Sequence, residues 1–160
     1  MSGTATQAVA DTNLSTAFPL PVMRNFSSSN GSKAQVIEAL KIVIQFGNLD
    51  LTGAANQWMK VAFSTKNHGA VLTTLADSDT FAVLGYQSCY HTSGGNILPS
   101  TQVFDFSDGM GNGILLATDN IYVQVTSSAT SITNAFPFKL FYRIYSATVT
   151  EYVGIVQSQQ

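Results

Sequence analysis

One cysteine, Cys89, in 160 residues leaves no partner for an intrachain disulfide, so nothing here is a stapled scaffold. Charge is equally scarce. Asp, Glu, Lys and Arg make up 10% of the chain, and the five Lys and two Arg stand singly. That scatter excludes a basic stripe able to follow a nucleic-acid backbone and a basic helix for an anionic membrane. Long apolar runs are missing as well. The strongest, "VIEALKIVIQF", is broken by Glu38 and Lys41 and is too short to span a bilayer. The first residues, "MSGTATQAVADTNLSTAFPLP", have neither a basic start nor a continuous apolar stretch, so no secretory signal peptide is expected.

What is abundant is uncharged polarity: Ser, Thr, Asn and Gln surround an apolar fraction of 45% at a net charge of -2. Such surfaces cost less to desolvate than Lys or Glu, and a near-zero net charge opposes self-association weakly. The composition favours assembly of copies.

Residues 1–32 are rich in Ser, Thr, Ala and Asn and read as a flexible arm without its own core, with residues 33–160 as the single folded domain. Phe18, Pro19 and Leu20 are the arm's apolar cluster and its expected docking point on a neighbouring subunit. Three glycosylation sequons, at Asn13, Asn25 and Asn30, read as accidents of a Ser/Thr-rich stretch.

The body alternates short strand patterns with turn residues. In "AQVIEALKIVIQF" the residues Val36, Leu40, Ile42, Ile44 and Phe46 line one face at period two, with Glu38 the misfit. "QWMKVAFST", "STQVFDF", "NIYVQVTSS" and "FPFKLFYRIYS" follow, the last with Phe138, Leu140, Tyr142 and Ile144 expected inward. Asp77, Ser78 and Asp79 offer caps for a helical turn. "TEYVGIVQSQQ" reads as a last strand with a polar tail. Seven to nine short strands at this spacing predict an all-β antiparallel sandwich or barrel.

The segment "FDFSDGMGNGILLATDN" (104–120) looks most like chemistry. Counted from Asp108, Asn112, Gly113 and Asp119 match a calcium loop in part, but Met110 and Leu116 stand where oxygens belong. Asp105, Asp108 and Asn112 remain only as a residual candidate for a weak surface calcium site. Gly109, Gly111 and Gly113 lack the spacing and the following helix of a phosphate cradle, so they read as loop glycines supplying positive φ. Cys89 and His91 share a face on a strand, with no further ligand or base at useful spacing, and no nucleophile elbow occurs. No enzyme and no cofactor are expected. Trp58, Tyr86 and Tyr90 are the candidate stacking residues of an alternative reading, a carbohydrate- or receptor-binding sandwich.

The C-terminal third, "DFSDGMGNGILLATDNIYVQVTSSATS" and then "KLFYRIYSATVTEYVGIVQSQQ", resembles capsid proteins of small icosahedral viruses, those of environmental circular single-stranded DNA viruses above all. "QVIEALKIVIQF" and "VAFSTKNHG" fit more loosely, and the matching stretches cover about half the chain. The resemblance implies a single jelly roll of about eight strands, copies of which tile a closed shell, with the virion as its location. Its partners would be other copies of itself and other virion proteins. Such proteins often carry an Arg/Lys-rich arm for packaged nucleic acid. Here Arg24 is the only basic residue of residues 1–32, which puts contact with the genome in doubt.

Overall fold

Val, Ile and Phe alternating with polar residues form strands wherever turn residues bound them. The computed structural model describes residues 1–7, 12–22, 33–46, 49–50, 57–71, 73–88, 96–97, 101–128 and 134–159. Among these are β1 (Ser2–Gln7), β2 (Leu14–Pro19), β3 (Lys33–Ile44), β4 (Leu49–Asp50), β5 (Gln57–Ser64) and β6 (Thr80–Ser88). Then come β7 (Asn96–Ile97), β8 (Gln102–Asp105), β9 (Ile114–Leu116), β10 (Asn120–Ser127), β11 (Asn134–Thr148) and one helix, α1 (Val149–Ser158).

One sheet runs β1-β11-β3-β8, with β9 also on β3, and the other runs β2-β10-β5-β6. Every pairing is antiparallel. Both β8 and β9 lie on the same flank of β3, at Lys41–Ile44 and Ile37–Ala39, so they are one strand interrupted by a loop. Setting aside the short pair β4–β7, the first strand position then pairs with the last, the second with the seventh, the third with the sixth and the fourth with the fifth. This nesting is a long hairpin rolled up on itself. It is the connectivity of a jelly roll.

Between the sheets lie Ile37, Ile42, Ile44, Val61, Phe63, Ile121, Val123, Val125, Phe136, Phe138 and Leu140, all buried. Each such side chain contributes roughly 1.5–3 kcal/mol relative to an exposed position. Phe138 binds the layers through edge-on contacts with Phe18 at 4.9 Å and Phe63 at 5.3 Å.

Four local expectations change. Ser2–Gln7 and Leu14–Pro19, read as parts of a coreless arm, are full members of the two sheets, paired with β11 and β10. Small Thr, Ser and Ala residues carry a weak strand pattern, and only the ladder partners far down the chain make it a strand. Residues 23–32, and with them Asn25 and Asn30, lie outside the described residues, while Asn13 donates from Nδ2 to the carbonyl of Ala70 at 2.6 Å. In β3 the expected single face is broken. Phe141 pairs with Lys41 and Tyr142 with Ala39, so Leu40 is an extra residue that reverses the alternation. Ile37 and Ala39 therefore join Ile42 and Ile44 inside, and Val36 turns outward to a second small cluster with Ala117 and Ala147.

The expected C-terminal strand is instead α1. Thr148 and Glu151 form a reciprocal capping box that starts the helix, and Tyr152, Ile155 and Val156 lay it on the outer cluster. Finally, residues 75–79 make turns before β6 rather than a helical turn, because Asp77 is spent accepting from the Thr74 amide at 2.8 Å.

Candidate functional site

The glycine-rich loop is the excursion that splits β8 from β9. Gly109 and Gly111 have φ of 79° and 87°, which L side chains rarely adopt. Gly113 serves a different need. A Cβ there would sit 2.0 Å from the Ala39 carbonyl oxygen, so only glycine lets the chain return to β3. The expected positive φ thus accounts for two of the three glycines, and close approach for the third.

The acidic residues close turns. Asp105 Oδ1 accepts from the Ser107 amide at 2.8 Å and its hydroxyl at 2.7 Å. Asp108 accepts from the Met110 and Asn112 amides at 2.9 and 3.0 Å and from Asn112 Nδ2 at 2.9 Å. These donors hold both carboxyls below the usual carboxylate range: the Ser107 hydroxyl first for Asp105, the Asn112 side chain first for Asp108. Of the three residues of the weak calcium site, Asp108 and Asn112 are brought together, but as partners of each other, while Asp105 serves its own turn.

Beneath the loop lies the residue that looked misplaced in β3. Glu38 is 5% exposed. Arg143 on β11 grips it with two nitrogens, the Nη2 contact measuring 2.8 Å, and the Gly113 amide donates to the same carboxylate at 2.8 Å. Arg143 Nη2 also donates to the Gly111 carbonyl at 2.9 Å. One buried carboxylate and one half-exposed guanidinium therefore staple the loop to the sheet. The Arg143 side chain and then the Gly113 amide pull the Glu38 carboxyl below its ordinary value, against the opposing effect of burial. Glu38 and Arg143 border an open groove that continues to Ile144 and Tyr145. The role of Arg143 was not legible in the sequence, because its partner lies 105 residues away.

The remaining candidates are dispersed. Leu20 is 7% exposed and Phe18 half-buried against Phe138 of the same chain, with Pro19 exposed at the end of β2. The apolar cluster assigned to a neighbour thus docks on its own sandwich. Trp58 is half-buried with Lys60 Nζ 5.5 Å from its ring centroid. It pairs in register with Gln87, whereas Tyr86 stands opposite Met59. Tyr90, Cys89 and His91 lie outside the described residues.

No protein-family model matches the chain, and no curated protein matches it in sequence. Solved structures match it in shape. VP1 of KI polyomavirus, solved as an unassembled pentamer, superposes at a TM-score of 0.51 and 12% identity over 86% of this chain and 76% of that one. The two chains share a fold. VP1 of human polyomavirus 6, also a pentamer, gives 0.51 at 10% identity over 86% and 80%. VP1 of trichodysplasia spinulosa-associated polyomavirus, solved with 3'-sialyllactose, gives 0.51 at 10% over 84% and 77%. At such identities the likeness is one of fold, and it agrees with the strand order worked out above.

Proposed function

We propose that this chain is a non-enzymatic viral coat protein whose copies assemble into a closed icosahedral shell in the virion, of the kind built by small circular single-stranded DNA viruses. The observation that carries the reading is the rolled order of the two sheets, shared with viral VP1 chains that form pentamers. The low charge and the uncharged polar surface support it, since such faces are inexpensive to bury against identical neighbours. Symmetric repetition then multiplies a modest pairwise contact into a stable particle. Other virion proteins are the remaining partners. With Arg24 the sole basic residue of residues 1–32, counterion release through that segment contributes little, and genome contact falls to other surfaces or components. Among the described residues no helix is long and apolar enough to cross a membrane.

Light scattering on the purified full chain tests the proposal. The expected species has a mass far above the 17.1 kDa of one chain. A monomer at every concentration would refute it. A carbohydrate-binding role has one observation behind it, the VP1 neighbour solved with 3'-sialyllactose. Glycan binding abolished by Trp58→Ala would support that reading, and binding unchanged by the substitution would remove Trp58 from it.

A further inference from the structure

β11 is much longer than the strand beside it. β1 covers it from Asn134 to Lys139, and Met1 closes the ladder by exchanging two backbone hydrogen bonds with Leu140, at 3.0 and 2.9 Å. Past Leu140, β3 continues along the other flank as far as Thr148, but among the described residues no strand follows β1 on this one. Leu140 turns its N–H and C=O toward β1. By the alternation of an antiparallel ladder, Tyr142, Ile144 and Ser146 turn theirs toward the same, unpaired side. Three large side chains along this flank are uncovered: Phe141 is 45%, Ile144 50% and Tyr145 41% exposed, although Ile144 was expected inward, and Arg143 is the one charge among them. Most of the usual protections of a free edge are missing here. There is no Pro or Lys between Phe141 and Thr148, the bulge belongs to β3, and α1 covers Ala147 at the end of β11 but otherwise packs on Val36, Leu115 and Ala117, leaving residues 141–145 outside its cluster.

We infer that this flank pairs with the same flank of a second copy, antiparallel about a two-fold axis at Ile144. The inference deepens the shell reading, on which it rests, by naming one of its contacts. The flank supplies its own complement. About Ile144, Tyr142 faces Ser146 and Arg143 faces Tyr145 of the second copy, so no like charges oppose, and the Arg143 guanidinium stays with Glu38. An axis at Arg143 would set two guanidinium groups against each other. The axis at Ile144 is also near the middle of the open edge, so the whole of it is used.

The test uses the full chain. With Cys89→Ser removing the native thiol, Ile144→Cys places each thiol opposite itself, at a Cα separation of about 5.5 Å, within disulfide reach. Mild oxidation should link copies readily, while Ser146→Cys, which faces Tyr142, links at least about tenfold more slowly. Equal linking at the two positions overturns the inference. Ile144→Lys sets two like charges opposite and should raise the dissociation constant of the pair by about tenfold or more. Association unchanged from wild type also overturns it. For wild type, amide exchange at Tyr142, Ile144 and Ser146 should slow as concentration rises. Equal protection in the dilute monomer would mean that the chain's own residues cover the edge, and the inference falls. Particles that form without the 144 link sink this contact and leave the shell reading standing. A 144-linked dimer that never yields particles does the reverse.

Discussion

Arg143 and Glu38 hold each other in unequal surroundings, one half-exposed and one buried. Removing the arginine strands the acid. Arg143→Met should therefore destabilise the fold, by less than for a fully enclosed pair. Replacing both residues with leucine should cost far less, and chemical denaturation of the two variants side by side measures the difference. The pH response follows from the lowered pKa of Glu38. A depressed carboxylate stabilises the folded state above its unfolded value of about 4.3 and loses that contribution as pH falls through the lower, folded value. Asp105 and Asp108 shift in the same direction. The loop should stay closed at neutral pH and loosen below about pH 4, seen as faster exchange of the Gly113, Met110 and Asn112 amides than the sheet shows. Gly113→Ala should cost about 2–3 kcal/mol, because backbone rather than a movable side chain blocks the new methyl. Gly109→Ala meets open space and strains only φ, at about 1 kcal/mol. From the residues in order, Glu38 was visible as an anomaly and the glycines as a loop. The pairing that explains both was not, since nothing local joins position 38 to position 143.

At the scale of elements, α1 shows a local signal outweighed by a misleading one. Thr148 and Glu151 carry the Thr-x-x-Glu pattern of a capping box, yet Tyr152, Val153, Ile155 and Val156 have strand propensity and read as β. The cap and the apolar patch of Val36, Ala117 and Ala147 decide for helix. Thr148→Ala should lower stability by about 1 kcal/mol, with the loss concentrated in α1 amide protection. Gln159 then ties the end of the helix to the sheet. Its side-chain amide donates to the Leu115 carbonyl and accepts from the Ala117 amide, much as another strand would. β1 and β2 were hidden for the opposite reason. Their residues declare little by themselves, and pairing with β11 and β10 supplies what propensity does not.

For the whole molecule, alternation along β10 and the first half of β11 made the sandwich legible, and the eight-strand count came close because the strand split by the glycine loop still occupies one position. The wrapping of the first strand onto the last was not legible in any window of sequence, since it depends on contacts between opposite ends of the chain. The loop that looked most like a ligand site is a stapled interruption of a strand, and β11 instead presents an exposed apolar edge. The proposed coat role calls on such edges and faces more than on a pocket. Electron microscopy of the purified full chain tests that account most directly. It predicts closed particles of uniform diameter with icosahedral symmetry; a field of dispersed single subunits, unchanged by concentration or salt, would contradict it.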